Sequence, residues 1–293
     1  MPRKGLTLLE LLVVLGIVGV LISITVVAVA AARQAYLSLQ CKNNQKQIMV
    51  GLLSHLQQNQ KLVENNLGVP QVNIFPYILN QMGRIGPKAI IEKKNGVDTF
   101  INYEGDRIPE FMCPSDFTTV LESKFDGRID VYGNKVISDS YLFSSSYCGN
   151  GFVFLANNRF PQSISDGMSN TIAFCETYSK TGGEGSIVFS YNQLPFRSNS
   201  GGSYGSSRPA IFANRTYDDI LPARDPATRQ TVASQRGVTF QVRPPFMESN
   251  HHYPISNHSG GMNTAFLDGS VRWLSSDLGE TPFWAMVTPD WND

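Results

Sequence analysis

The sequence has no excess of charge of either sign, and it has few charges altogether. Lysine and arginine number 24, aspartate and glutamate also number 24, and charged residues make up 16% of the 293-residue chain. A protein that binds nucleic acid through its phosphates needs a surplus of cations, so the composition argues against nucleic acid as a partner. Hydrophobic residues make up 42% of the chain, which is too many for a disordered polypeptide and predicts a folded domain.

The sequence also lacks motifs that identify common enzymes. It contains no phosphate-binding P-loop, no dinucleotide-binding glycine fingerprint and no His-Glu-x-x-His metal motif. The four cysteines form no pair at two-residue spacing, so neither a zinc ribbon nor a thioredoxin-type redox motif is indicated. We therefore expect a protein that is not an enzyme and that requires no cofactor.

The N-terminus carries a long apolar run. Residues 6–32 contain a single charged residue, Glu10. An apolar helix needs about 20 residues to cross a bilayer, whereas the apolar core of a cleavable secretory signal has about 7 to 15. Arg3 and Lys4 precede the run and, by the positive-inside rule, would hold that end in the cytoplasm. The sequence predicts a single-pass precursor in the inner membrane, with the bulk of the chain outside the cytoplasm.

Glu10 requires an explanation, because a carboxylate inside an apolar helix costs roughly 2.5 to 3.5 kcal/mol on insertion scales. One alternative is that Glu10 lies near the membrane interface and stays hydrated. The run also contains Ala28-Val29-Ala30, whose small-residue spacing an ordinary signal peptidase could cleave. The length of the run and the charge of Glu10 argue against such a signal.

The segment Arg3-Lys-Gly-Leu-Thr-Leu-Leu-Glu-Leu-Leu12 resembles the type III signal of type IV pilins and type II secretion pseudopilins. The resemblance implies that a prepilin peptidase cuts after Gly5 and N-methylates the new first residue, Leu6, where the family usually has phenylalanine. Glu10 would then be the fifth residue of the mature chain. There its carboxylate could meet the α-amino group of Leu6 in a neighbouring subunit and set the register of an assembly.

The helical pattern continues beyond the apolar run, and no proline occurs before Pro70. One helix from Leu6 to about Gln58 would be roughly 80 Å long. Residues 6–32 would form its membrane and assembly half, and residues 33–60 its amphipathic half. Gly16 and Gly19 are either close-packing points between helices or ordinary transmembrane glycines. The amphipathic face is predicted from residues at three- and four-residue steps, namely Leu37, Cys41, Asn44, Ile48, Leu52 and Leu56.

After the leader, residues 1–5, and the long helix, residues 61–293 are expected to form an extracytoplasmic domain. The predicted fold class is α+β, with the helix packed on an antiparallel β-sheet as in pilins. A polar segment near residues 192–236 has little periodicity and reads as a loop-rich lobe. Strands are predicted at short β-type runs between Gly, Pro, Asn and Ser clusters, namely residues 97–103, 131–137, 152–155, 171–174 and 238–242.

Residues 264–274 give the clearest local prediction, a β-hairpin. Asp268-Gly269 lies between two apolar runs and suits a two-residue type I′ turn. The hairpin would pair Phe266 with Val271, or Leu267 with Ser270, depending on register.

The C-terminal part resembles a large bacterial family of pseudopilin-like proteins whose domain has no assigned activity. Its signature is a histidine, nine residues and Asp-Gly, which here are His258, Asp268 and Gly269. Four further segments fit that family in order along the chain: residues 41–48, residues 111–116, residues 146–151, and residues 165–172 followed by Glu176.

An even number of cysteines outside the cytoplasm suggests disulfides. The four candidates, which allow three connectivities, are Cys41, Cys113, Cys148 and Cys175. Cys41 lies on the amphipathic helix and Cys113 in a loop motif, so we favour a bond between these two, which would staple the helix to the sheet. Buried free thiols are the alternative.

Several potential metal ligands cluster near the C-terminus, namely Glu248, His251, His252, His258 and Asp268. Their spacing does not match a zinc site, so we expect no metal there and a structural His258 that braces the following Gly-Gly turn. The pseudopilins that the N-terminus resembles often hold calcium near the C-terminal end. Here the oxygen ligands available for calcium would be Asp166, Asn263 and Asp268.

These features together favour a structural subunit of a type IV pilus or of a type II secretion pseudopilus-like filament, periplasmic or on the cell surface. Its partners would be further copies of the chain through the N-terminal helix, the membrane and the prepilin peptidase. The alternative is an envelope module that binds a glycan or solute through the 192–236 lobe and uses the helix only as an anchor.

Overall fold

The structure is a computed structural model, and it describes the long N-terminal helix and most of a domain built on a central sheet. The predicted leader, residues 1–5, and Leu6 lie outside the described residues, as does most of the 192–236 lobe. The described residues are 8–59, 75–84, 88–94, 97–104, 108–120, 128–129, 135–136, 144–154, 160–181, 185–188, 208–209, 211–213, 239–250 and 253–289.

Helix α1, Leu8–Asn59, is 52 residues long and continuous, as the sequence predicts. Its two halves differ in their surroundings: every residue from 8 to 36 is exposed, and Cys41 is the first to be buried. From there to Leu56 the buried residues recur on one face of the helix, at Gln45, Ile48, Met49 and Leu52 among others. The amphipathic half therefore packs on the domain, and the apolar half extends away from it.

The central sheet has five strands: β5, Tyr147–Asn150; β6, Ile172–Glu176; β10, Ile211–Phe212; β13, Gly261–Phe266; and β14, Val271–Ser275. Their order across the sheet is β10-β5-β6-β13-β14. The edge strand β10 is parallel to β5, and all other neighbours are antiparallel. The domain is thus α+β with a largely antiparallel sheet, as predicted.

The sheet is covered on both faces, because β5, β6 and β13 are buried along their whole length. Helix α1 and the short helix α2, Phe75–Gln81, contribute to the core on one face. The C-terminal helix α4, Glu280–Val287, covers the other through Phe283 and Val287. The central strands therefore carry apolar residues without strict alternation, which weakens their signal in the sequence.

The remaining described elements are short. Helix α3, Gly151–Phe154, follows β5 directly. The other strands form one three-stranded sheet and three two-stranded sheets. They are β1, Lys88–Lys94; β2, Val97–Glu104; β3, Arg128–Ile129; β4, Lys135–Val136; β7, Lys180–Thr181; β8, Gly185–Val188; β9, Arg208–Pro209; β11, Gln241–Val242; and β12, Ile255–Ser256.

One predicted strand and the predicted lobe need correction. The predicted strand 152–155 is wrong, since strand β5 ends at Asn150 and the chain turns into α3. The Asn150 side chain accepts the N–H of Phe152 and donates to the carbonyl of Val287, which fixes this change of direction. Strands β9 and β10 lie inside the segment predicted as a lobe, so that part of it belongs to sheets. The predictions at 97–103 and 171–174 are confirmed by β2 and β6.

The C-terminal hairpin is confirmed, but its turn and register differ from the prediction. Ala265 is opposite Val271, and the N–H of Phe266 donates to the carbonyl of Ser270. The loop thus has three residues, and Gly269 has a φ of 85° while Asp268 has no positive φ. This is a type I turn followed by a left-handed glycine, in place of the predicted type I′ turn. The Asp268 carboxylate favours it by accepting the N–H of Ser270 at 2.8 Å.

Candidate functional site

A disulfide joins the long helix to the domain where the helix first becomes buried. Cys41 lies on α1, and Cys113 lies in the loop after a single 3₁₀ turn, Pro109–Phe111. Both residues are fully buried, and their Cα atoms are 5.0 Å apart. This is the pairing that the sequence favoured, and it staples the amphipathic half of the helix to a loop 72 residues away.

A buried carboxylate and a buried histidine lie beside this disulfide. Glu176 is the last residue of β6, and His258 precedes the turn into β13. Oε1 of Glu176 is 3.2 Å from Nε2 of His258, and the same nitrogen is 3.9 Å from Sγ of Cys113. Glu176 is fully buried and His258 is 8% exposed. One ligand atom from each of Cys41, Cys113, Glu176 and His258 lies within 4.8 Å of the others, and we call these four residues the Cys-Cys-Glu-His cluster.

Asn263 on β13 connects this cluster to the helix. Its Nδ2 donates to Oε1 of Glu176 at 2.9 Å and to the Oγ of Ser38 at 3.2 Å. Gln45, one turn beyond Cys41 on α1, donates its side-chain N–H to the backbone carbonyl of Asn263 at 2.9 Å. The cluster therefore lies between α1 and the sheet, next to the hydrogen bonds that Asn263 and Gln45 make between these two elements.

The sequence predicted a structural role for His258, and the structure divides that role between backbone and side chain. The backbone of His258 bridges to Gly261 and encloses Gly260, whose φ is 82°. Its N–H donates to the Oγ of Ser256, and that hydroxyl donates to the His258 carbonyl. The backbone thus braces the Gly-Gly turn, while the imidazole is directed at Glu176.

Asp116 is a second buried polar centre, which the sequence indicated only as the end of the 111–116 segment. One carboxylate oxygen accepts the N–H and the hydroxyl of Thr118, and the other accepts the Ser146 hydroxyl and the Ser179 N–H. Burial raises the pKa of the Asp116 carboxyl, and the accepted hydrogen bonds oppose that rise. Asp116 ties the 111–116 loop to the segments before β5 and after β6.

The other two candidate cysteines are not bonded. Cys148 on β5 and Cys175 on β6 are directly opposite in the sheet, yet both are buried free thiols. Burial raises the pKa of both thiols well above the ordinary value. The expectation of a disulfide at these two positions is therefore corrected in favour of buried thiols.

The structure separates Asn263 from the other two residues proposed for calcium. Asn263 directs its side chain at Glu176 near the start of β13, whereas Asp268 lies in the turn beyond the end of that strand. The three residue steps from Asn263 to Phe266, the last residue of β13, already correspond to about 10 Å. Asp166 lies closer to Asp268, because the N–H of Asp268 donates to the carbonyl of Met168, two residues after Asp166. His251 and His252 lie outside the described residues.

The features predicted for assembly lie at the other end of the molecule. Glu10 is in the first turn of the described helix and is exposed. Gly5 and Leu6 lie outside the described residues. Helix α1 is the one described helix long and apolar enough to cross a membrane, by length and composition. That property is compatible with membrane anchoring.

A long helix with an apolar N-terminal half, joined by a disulfide to an α+β domain, is compatible with a membrane-anchored envelope protein. The chain belongs to the family described as "Protein of unknown function (DUF1559)", whose profile matches residues 30–281. The four segments and the His258–Gly269 signature all lie inside that match. No curated protein and no solved structure matches the chain.

Proposed function

We propose that the protein is a structural subunit of a pilus-like or pseudopilus-like filament, processed after Gly5, and that it is not an enzyme. The observation that carries this proposal is the division of α1 into an apolar half with no buried residue from 8 to 36 and a second half packed on the domain. The family commonly occurs in pilin-like proteins, which supports the same conclusion.

The apolar half of α1 is exposed, so it needs apolar surroundings along its whole length. Lipid supplies that surface while the precursor is in the membrane. In a filament, the same surface would pack on the apolar halves of neighbouring subunits. The burial of about 20 apolar side chains against other helices would stabilise the assembly, while the domain, attached at Cys41 and beyond, would decorate its outside.

The proposal is tested at Glu10, because the charge of this residue costs free energy in lipid and is stabilised only when subunits assemble. In the proposed filament the Glu10 carboxylate meets the α-amino group of Leu6 of an adjacent subunit. Glu10→Gln removes the charge at nearly constant size. It should therefore leave cleavage and membrane insertion intact and reduce filament yield by roughly tenfold or more, since about 1.4 kcal/mol of pairing corresponds to a factor of ten.

The assay combines mass spectrometry of the mature N-terminus with imaging and quantitation of sheared filaments. Glu10→Asp is the matched control, because it keeps the carboxylate and should retain part of the yield. Wild-type filament yield for Glu10→Gln would refute the pairing. A wild-type chain that is inserted and cleaved but forms no filaments would favour the alternative of an anchored binding module.

A further inference from the structure

The Cys-Cys-Glu-His cluster brings together four donors from four separate parts of the chain. Cys41 comes from α1, Cys113 from a loop, Glu176 from the end of β6 and His258 from the turn before β13. All four residues are buried. In the structure the two sulfur atoms are bonded to each other, and the carboxylate of Glu176 contacts the imidazole of His258.

The distances among these atoms approach those of a tetrahedral zinc site. With Zn–S of about 2.3 Å and Zn–N and Zn–O of about 2.05 Å, tetrahedral angles place nitrogen and oxygen ligands about 3.3 Å apart and sulfur and nitrogen about 3.6 Å apart. The Glu176 Oε1 to His258 Nε2 distance is 3.2 Å, and the Cys113 Sγ to His258 Nε2 distance is 3.9 Å. Opening of the S–S bond would allow the sulfurs to reach the separation of about 3.8 Å that the same geometry requires.

A second observation at the site points to a cation. Oε2 of Glu176 is buried and has no hydrogen-bond partner among the described residues. An unsatisfied oxygen of a buried carboxylate is costly, and a metal ion bound at Oε1 would lower that cost, because it neutralises the negative charge that the two oxygens share. Asn263 already donates to the other oxygen, Oε1, and so orients the carboxylate as outer-shell partners of metal ligands do.

We propose that the reduced protein binds one zinc ion through Cys41, Cys113, Glu176 and His258. Two thiolates, one carboxylate and a neutral imidazole around Zn²⁺ give a net charge of minus one. That charge lies between those of the common Cys₂His₂ and Cys₄ structural sites. All four positions are taken by protein ligands, so the site is a closed, structural one that would hold α1 on the sheet when the disulfide does not.

The two states of the site are exchanged by thiol–disulfide chemistry. A dithiol reductant attacks one sulfur of the Cys41–Cys113 bond, and its second thiol resolves the mixed disulfide. The Cys41–Cys113 pair gains two electrons and two protons as two thiols, and the reductant becomes a disulfide. Zinc binding then releases both thiol protons to solvent. Oxidation to the disulfide excludes zinc, because its two sulfur ligands are then bonded to each other.

The test uses the full chain in detergent micelles, stripped with a chelator and divided into an untreated and a phosphine-reduced sample. Each receives a small excess of Zn²⁺, is desalted, and is analysed for bound metal. We expect about one zinc per chain in the reduced sample and none in the untreated one. Co²⁺ in place of zinc should show the strong visible bands of tetrahedral cobalt and a thiolate charge-transfer band. Equal metal in both samples, or none in the reduced one, would overturn the proposal.

Variants then assign the ligands. Glu176→Gln should weaken zinc affinity about 100-fold or more, a larger loss than outer-shell substitutions cause. Cys148→Ser is the matched control, because Cys148 is also a buried free thiol but lies outside the cluster. It should keep the stoichiometry and the cobalt spectrum of the wild type. Loss of the cobalt–thiolate band in this control, with the band retained in Cys113→Ser, would place the metal elsewhere.

The wild type alone provides a readout that does not depend on how the variants fold. If reduction loosens the domain, zinc should restore its circular dichroism and near-ultraviolet signals, since metal binding is coupled to folding. Zinc should also protect two thiols from alkylation, and peptide mapping should locate them at Cys41 and Cys113. Cys41 and Cys113 that react equally fast with and without zinc in the folded, reduced protein would refute the assignment.

Discussion

Removal of the Cys41–Cys113 disulfide is the perturbation whose magnitude follows most directly from the structure. The bond closes a loop with a sequence separation of 72 residues. In the chain-entropy treatment a loop of this length lowers the entropy of the unfolded state by about 15 cal/mol/K, or about 4.4 kcal/mol at 25 °C. A domain of ordinary stability has only about 5–15 kcal/mol in total. The disulfide should therefore account for a large part of the stability of the domain.

The measurement is urea unfolding of the full chain in detergent micelles with a chelator present, followed by tryptophan fluorescence. The double variant Cys41→Ala/Cys113→Ala should unfold at a urea concentration lower by roughly 1.5–2.2 M, given an m-value of roughly 2–3 kcal/mol/M. Reduced wild-type protein should show a similar loss. The variant loses both the cross-link and the buried sulfur atoms, whereas reduction removes only the cross-link. Equal losses of stability would therefore assign the effect to the cross-link.

A control and a clear refutation are available. Cys148→Ala removes a buried sulfur without breaking a bond, so it should cost only about 1 kcal/mol. If the double variant loses no more than this control, the entropic reasoning is wrong, and hydrogen bonds such as that from Gln45 to Asn263 hold the helix on the sheet without help.

Gly261→Ala should destabilise the domain by about 1–3 kcal/mol in the same urea assay, because a Cβ would press on the backbone carbonyl of Leu274; wild-type stability would refute this packing. Cys148 and Cys175 should resist alkylation in the folded, unreduced protein, since burial raises their pKa, and should be the two thiols that react after denaturation; four reactive thiols would refute the disulfide. Asp116→Asn should cost about 1–3 kcal/mol, because an amide N–H would face a backbone N–H that the carboxylate now accepts; an unchanged urea midpoint would contradict this.

The sequence predicted the elements whose signals are local. The continuous helix, the β-hairpin and the strands β2 and β6 follow from periodicity and from turn residues within a few positions. The type I′ turn was wrong because Asp268-Gly269 fits two turn types, and the choice depends on contacts outside the hairpin. The N–H groups of Leu267 and Asp268 donate to the carbonyls of Thr171 and Met168, which holds a three-residue loop in place.

The candidate site could be predicted only in pieces. The bond from Cys41 to Cys113 was favoured because one cysteine lay on the helix and the other in a loop motif. Glu176 and His258 each belonged to a segment that resembles the family, yet 82 residues separate them, and no spacing rule links them to the cysteines. Their meeting results from the pairing of β6 with β13, which brings Cys175 opposite Thr264 and so places Glu176 beside Asn263. Because β6 and β13 are buried on both faces, their sequences lack the alternation that would otherwise fix the register.

The position of the Cys-Cys-Glu-His cluster connects the proposed filament with the proposed zinc site. The cluster lies at the first buried turn of α1, where the apolar half leaves the domain. In a filament, a load on the assembled helices would reach each domain through this turn first. A covalent bond at Cys41 resists it there, whereas the contacts of Ile48 and Leu52 further along α1 are individually weak and could yield one after another. A reduced, metal-free subunit would lack this tie, and zinc held by the same cysteines would restore it. The disulfide and the zinc site would thus be two alternative links between α1 and the domain, at the position where force in the proposed filament reaches the domain.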